Sequence, residues 1–371
     1  MKYYLIAGEA SGDLHGSNLM KALQKEDVNA EFRFWGGDLM QGVSNLLVKH
    51  YKDLAFMGFL EVLMNLRTIS KNLSFCKKDI EQYQPDVIIF IDYPGFNLRI
   101  AKWAKQKGFK THYYISPQIW AWKENRINDI KRDVDKMYVI LPFEKTFYEK
   151  KHAYPVAFVG HPLIDAISDR IQVDEYAFRA EHELSEKPII ALLPGSRKQE
   201  IRKMLTVMLS LIDAYPKYQF VIAGAPSQDY EFYKSFIKNT HVRFVANMTY
   251  DLLSVSVAAL VTSGTATLET AIFKIPQVVC YKGSWLSYQI GKQLVKLKYI
   301  SLVNLIMDKE VVKELIQNEF NTKNLKKALD TILDPSERSK IFVNYYELEK
   351  ALGGKGASEK TAKLIFQAIQ A

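Results

Sequence analysis

Residues 188–211 constrain the fold more than any other stretch. Pro188 to Leu193 is an apolar run of strand length, and Pro194 and Gly195 stop it. Ser196 is suited to cap a helix, and Arg197 to Leu211 carry helical periodicity. A strand that turns through glycine into a helix leaves backbone N–H groups and a positive dipole end where a phosphate can sit. Arg197 adds a planar cation at that point. Residues 3–12 repeat the construction. Two such units almost half a chain apart predict an α/β protein with two doubly wound domains and a cleft between them.

Composition narrows the partners. The chain has 371 residues, enough for two domains. Cys76 and Cys280 are its two cysteines, so neither a disulfide framework nor a zinc ribbon is expected. Met1-Lys2 lead directly into the first apolar run, and no signal peptide is expected. No apolar run reaches the roughly 18–20 residues needed to span a bilayer. The net charge of +9 fits nucleic acid, anionic lipid or a phosphorylated substrate, or an ordinary basic enzyme. No zinc-finger or RNP pattern occurs, so nucleic acid ranks last and no nucleic-acid partner is predicted.

In the first half, Lys2–Ala7 reads as a strand and Leu14–Leu23 as a helix, with Gly8 to Asp13 as a turn-rich loop between them. The glycines at 8, 12 and 16 do not match G-x-G-x-x-G. Glu9 and Asp13 would repel a pyrophosphate, which points to an acceptor-side wall. Asp13 either caps the helix or binds; Glu9 at a strand end is harder to explain structurally. Further strands are expected at 32–36, 86–91, 110–115 and 136–141. Leu54 to Leu66, with Phe56, Met57 and Phe59, is apolar on nearly all sides and is followed by Arg67, Lys71, Lys77 and Lys78. It reads as a buried core helix or as a segment lying on a membrane or holding an acyl chain. Asp92 stands at a strand end before a Pro-Gly turn, where open α/β sheets bind ligands, and is a candidate general base. An Asx turn is the competing role. Gln118, Trp120 and Trp122 form either a sugar or acyl rim or a packed loop. His161 lies at the domain junction.

In the second half, strands are expected at 188–193, 219–223, 242–245, 257–262 and 276–281, the last of them. Ser263, Gly264 and Thr265 form a second phosphate-type turn, and Glu269, one helical turn further, could hold a ribose. Trp285 to Ile300 mixes aromatic residues with lysines, an interfacial composition that also fits a solvated core helix. Ser301 to Leu305 reads as a loop, and Lys309 to Ala371 as helical. No histidine pair has metal-ligand spacing, and Asp133-Val134-Asp135 is weighed lightly as a metal motif. The domains are drawn at 1–165 and 166–345. Residues 346–371 form a terminal helix that returns to the first domain or crosses to a second subunit.

In order along the chain, A-G-E-A-S-G-D (7–13), A-F-M-G (55–58), I-D-Y-P-G-F-N (91–97), S-P-Q-I-W-A-W (116–122), L-P-F-E (141–144), G-H-P (160–162), L-L-P-G-S-R (192–197), S-G-T-A-T-L-E (263–269) and S-L-V-N-L (301–305) resemble the lipid-A-disaccharide synthase family. The resemblance implies a GT-B fold, two Rossmann-like domains facing across a cleft. It implies transfer of 2,3-diacylglucosamine from UDP-2,3-diacylglucosamine to 2,3-diacylglucosamine 1-phosphate (lipid X), giving a β-1,6 disaccharide and UDP. It implies action at the cytoplasmic face of the inner membrane, and homodimers that swap C-terminal segments. The family's essential acidic positions fall on Glu9 and Asp92, and its essential Arg and Asn on Arg197 and Asn304. Gly95 departs from the Asp often found there. Asp92 is then the base, with Glu9 beside it. Gly195, Ser196, Arg197, Ser263, Gly264, Thr265, Glu269 and Asn304 form the donor site. Asp13, Phe56, Met57, Phe59, Gln118, Trp120, Trp122 and His161 face the acceptor or its lipid. No cofactor or metal is expected. The competing functions are another UDP-N-acetylglucosamine transferase or 2-epimerase, or a non-catalytic nucleotide- or lipid-binding module.

Overall fold

A computed structural model describes residues 1–54, 66–226, 228–237, 241–283 and 298–370. Phe56, Met57 and Phe59, and residues 285–297 of the interfacial stretch, lie outside the described residues. Contacts divide the chain into two units, Met1–Ser168 with Leu352–Ala371, and Asp169–Ala351.

The first unit runs β1 (Lys2–Ala7), α1 (Ala10–Glu26), β2 (Glu31–Gly36), α2 (Asp38–Gln41), β3 (Leu47–His50), α3 (Leu66–Tyr83), β4 (Val87–Ile91), α4 (Pro94–Gln106), β5 (Thr111–Tyr114), α5 (Ile127–Asp133), β6 (Lys136–Val139), α6 (Pro142–Thr146), β7 (Ala157–Phe158) and α7 (Pro162–Ser168). Its strands pair in parallel in the order β3-β2-β1-β4-β5-β6-β7. The order reverses between β1 and β4, the crevice where doubly wound sheets place ligands. Both faces are covered, which is why the central strands are apolar without alternation. Tyr4, Ile6, Ile88 and Phe90 share one core with Ile80 of α3 and Ile100 of α4. Tyr3, Leu5, Val87 and Ile89 are equally buried on the opposite face.

The second unit runs α8 (Glu175–Glu181), β8 (Ile189–Leu193), α9 (Lys198–Met208), β9 (Gln219–Gly224), α10 (Tyr230–Lys234), β10 (Arg243–Ala246), α11 (Thr249–Ser254), β11 (Ser256–Thr262), α12 (Thr265–Ile272), β12 (Gln277–Tyr281), α13 (Leu302–Met307), β13 (Lys313–Ile316), α14 (Thr322–Leu333) and α15 (Pro335–Ala351). Its parallel order is β10-β9-β8-β11-β12-β13, reversing between β8 and β11. The chain then returns to the first unit as α16 (Ala357–Gln370). Asp165 of α7 holds the start of α16, accepting from Gly356 N at 2.7 Å and Ser358 N at 3.0 Å.

The elements depart from expectation where local pattern is weakest. β3 and β13 are strands, although 276–281 was expected to be the last and 309–371 helical. Both are four-residue edge strands with one neighbour each, so neither needs an apolar run. Residues 302–307 are a helix rather than a loop, capped by Ser301, whose side chain accepts from Asn304 N. α1 begins at Ala10, so Gly12 is helical rather than part of a turn. A Cβ on Gly12 would stand 3.1 Å from the Ala7 Cβ. The glycine serves the close approach of helix to strand. Gly95, in the first turn of α4, has nothing within 4 Å of where its Cβ would be. Gly95→Ala is expected to stabilise the fold by about 0.5 kcal/mol through the unfolded chain, read as a higher denaturant midpoint with unchanged m-value. A lower midpoint would contradict the open packing at this turn.

Candidate active site

In the first unit the candidate residues gather at the carboxyl ends of β1, β4 and β5. Glu9 is exposed and is the N-cap of α1. Asp92 directly follows β4 and is half-buried. Burial first, and then the Glu9 charge, push its carboxyl from 3.8 up to about 6, against a bond from the Tyr93 backbone that lowers it. That is the value wanted of a base working near neutral pH. The carbon skeleton around it is strained: Asp92, Tyr93 and, at the end of β5, Ile115 have φ of 44°, 49° and 63°. Left-handed backbone is costly for such residues, above all for β-branched isoleucine.

Glu9 accounts for part of the Asp92 shift, which fixes the sign of an experiment. Glu9→Gln removes a like charge, so the Asp92 pKa falls. The acid limb of kcat/KM is expected to move to lower pH, measured over pH 4.5–8. A limb that stays in place would exclude coupling between the two carboxyls.

The loop after β5 is held by one buried carboxylate. Glu144 accepts from Ser116 Oγ at 2.6 Å, Trp120 Nε1 at 3.2 Å, Leu141 N at 2.9 Å and Ile140 N at 3.2 Å. Burial pushes its carboxyl up to about 7 against these bonds. Trp120 is fixed further by an edge contact to Phe143. Gln118 and Trp122 remain exposed, and Trp122 lies under the Lys123 ammonium at 4.2 Å. Glu144 was legible only as part of L-P-F-E; its role depends on a loop 28 residues away.

Two of the acceptor-side candidates are buried. Asp13 is 3% exposed, and its carboxylate accepts from Gly37 N, Leu39 N and Met40 N. It caps α2, not its own helix, with both oxygens engaged by backbone N–H groups. His161 is also buried, with Nδ1 accepting from Leu163 N at 3.2 Å. Burial, then nearby His15, lower its pKa to about 3, so it stays neutral and packed.

In the second unit the β8–α9 turn differs from expectation in its cap. Arg197, not Ser196, is the N-cap, with no side-chain cap bond, and its side chain is exposed. Gly195 has φ +99°, and a Cβ there would meet the Glu200 carboxylate at 2.2 Å. Glu200 also accepts from Ser196 N at 3.3 Å, so the turn carries its own anion. At the β11–α12 turn the N-cap is Gly264. Ser263 Oγ donates to Ile300 O at 2.9 Å, while Gly264 and Thr265 are exposed. Glu269 accepts from Tyr250 Oη at 2.8 Å, and burial raises its pKa.

The Asn304 side chain braces the fold. It is 0% exposed. Its Oδ1 accepts from Val311 N at 2.8 Å and Val312 N at 3.0 Å, and its Nδ2 donates to Val312 O at 2.8 Å and Glu314 Oε1 at 2.9 Å. No polar atom of the side chain is left for a nucleotide.

Two parallel doubly wound sheets in one chain, with exposed turns at the carboxyl ends of β8 and β11, give the protein the GT-B fold. UDP-GlcNAc 2-epimerase from Neisseria meningitidis, solved bound to UDP-GlcNAc, superposes with a TM-score of 0.68 over 100% of both chains at 13% identity. The glycotransferase of kitacinnamycin superposes at 0.66 over 99% of this chain and 98% of that one, at 12% identity. At these identities the likeness is one of fold. The family model of lipid-A-disaccharide synthetase matches residues 3–369. The lipid-A-disaccharide synthase of Syntrophus aciditrophicus is 39% identical, covering 99% of this chain and 97% of the relative. That of Geobacter metallireducens is 37% identical, over 98% and 96%. The chain belongs to the lipid-A-disaccharide synthetase family and is a glycosyltransferase of lipid A biosynthesis.

Proposed function

We propose that the chain moves 2,3-diacylglucosamine from UDP-2,3-diacylglucosamine to 2,3-diacylglucosamine 1-phosphate, with Asp92 as general base. The acceptor 6-hydroxyl attacks the anomeric carbon, the bond to the UDP oxygen breaks with inversion, and the hydroxyl proton passes to the Asp92 carboxylate. The observation that carries this reading is a carboxyl raised to about 6 beside Glu9 at the β4 end. UDP leaves as a diphosphate. Exposed Arg197 and the starts of α9 and α12, where Gly264 and Thr265 are open, supply positive charge to it without a metal. Glu269 holds the ribose, and Gln118 and Trp122 line the acceptor. The test is to follow UDP release and disaccharide from the two acylated substrates in detergent, with EDTA. UDP binding without product would sink the transferase; loss of activity with EDTA would sink the metal-free step.

The same reading places the protein on the cytoplasmic face of the inner membrane. Among the described residues no helix is long and apolar enough to cross a membrane. Exposed Arg67, Lys71 and Lys78 on α3 and Arg99 and Lys102 on α4, with Phe75 49% exposed, support surface attachment to anionic lipid. Flotation with anionic vesicles that persists unchanged in 1 M salt, or fails at low salt, would count against it. Exchange of α16 between two copies would reuse the Asp165 contacts and give a dimer.

A further inference from the structure

Asp92 and Tyr93 leave β4 as two successive left-handed residues, and neither is a glycine. Each costs on the order of 1 kcal/mol, so the surroundings must impose the conformation. Asp92 N still donates to Tyr114 O at 3.1 Å, as a sheet residue would. Its carbonyl is held differently. Tyr113 Oη donates to it at 2.6 Å and Asn97 Nδ2 at 2.7 Å. Both side chains are 0% exposed. Asn97 Nδ2 also lies 3.3 Å from Ile6 O and 3.4 Å from Ile91 O. One amide therefore touches the ends of β1 and β4, the strands that deliver Glu9 and Asp92.

A single donor would satisfy a buried carbonyl. Here there are two, from β5 and α4, on a residue with left-handed backbone. The Tyr113 ring fills its place in the core whether or not it carries a hydroxyl, so the hydroxyl is spent on Asp92. We propose that Tyr113 and Asn97 are positioning residues: by gripping the Asp92 carbonyl they aim its carboxylate at the acceptor hydroxyl and set its distance from Glu9. This rests on the assignment of Asp92 as base. Among the described residues, the titratable groups facing Asp92 are Glu9 at the start of α1, neighbouring Tyr93, and Tyr113 itself.

The experiment uses the full chain and the two acylated substrates. Tyr113→Phe keeps the ring and removes one donor; Asn97→Ala removes the other. Loss of orientation costs about 10–100-fold in kcat, with KM for the acceptor and UDP affinity unchanged. With the carboxylate free to swing away from Glu9 toward solvent, the acid limb moves to lower pH. In an Asp92→Asn background, Tyr113→Phe is expected to change the residual rate by less than about twofold, since there is no base left to aim. Equal losses in both backgrounds, or an unchanged kcat and acid limb for Tyr113→Phe, would overturn the positioning role while leaving the base assignment intact. Retained turnover in Asp92→Asn alone would remove the base assignment itself. Should Asn97→Ala fail to fold, the near-isosteric Tyr113→Phe decides.

Discussion

Asp92→Asn is expected to abolish disaccharide formation while making the protein more stable at neutral pH. On the proposed role, an amide cannot take the acceptor proton, and removal of a general base costs about 10²–10⁴-fold. The gain in stability follows from the same carboxyl. Its pKa is 3.8 when unperturbed and about 6 in the fold. Between these values the folded state binds more protons than the unfolded one, so stability falls as pH rises through the window. Above pH 6 the penalty is complete. A two-unit shift corresponds to about 3 kcal/mol, reduced to about 1–2 kcal/mol because the group keeps some solvent. Asparagine avoids the penalty and accepts left-handed backbone well. The difference between variant and parent should be largest at pH 7 and should vanish as pH falls towards 4. Thermal melts across that range, with UDP binding as a check on the fold, measure it. A variant that is inactive and also less stable at pH 7 would mean that Asp92 acts as a structural anchor.

Asn304→Ala is expected to act on stability before it acts on the nucleotide. The Asn304 amide ties α13 to Val311 and Val312, just before β13, and to Glu314 within it, and Glu314 ties the same corner by accepting from Ile300 N, Ser301 N and Ser301 Oγ. Truncation leaves two buried N–H groups and a carbonyl without partners and removes one donor from a buried carboxylate. Each orphan costs about 1–3 kcal/mol, and partial relaxation brings the total to about 3–5 kcal/mol. The melting temperature should fall by roughly 10 °C. UDP affinity, measured well below that temperature, should stay close to that of the parent. Normal stability with lost UDP affinity would instead make Asn304 a direct ligand. Asn304→Asp should also destabilise, because it sets a second carboxylate against Glu314 and turns a donor into an acceptor.

Much of the architecture was legible because its signals are local. Ile189–Leu193 and Val87–Ile91 are buried on both faces and are uniformly apolar, so each reads as a central parallel strand without reference to its neighbours. Gly195 needs its positive φ whatever lies across the molecule. The edge strands β3 and β13 were not legible. A strand with one neighbour and one covered face carries little apolar pattern, and only the sheet edge waiting for it makes it a strand. The carboxyl-bearing positions could be found, but not their tasks. Asp13 and Asp92 both lie just beyond apolar strands, yet Asp13 gives its oxygens to the start of α2, 24 to 27 residues away, while Asp92 has its carboxyl raised to about 6 by burial and Glu9.

The sequence alone determined the order of strand, glycine turn and helix, the family motifs, and the residue types at the strand ends. These depend on backbone preference and on burial that repeats every two or every 3.6 residues. The tertiary structure decided which polar groups remain available. Asn304 and Asp13 are engaged by groups that arrive from other elements. Asp92 is raised to about 6 because burial and Glu9 meet it at the end of β4. Desolvation and Coulomb interaction depend on distance in space, and the strand ends acquire those distances only when the sheet forms.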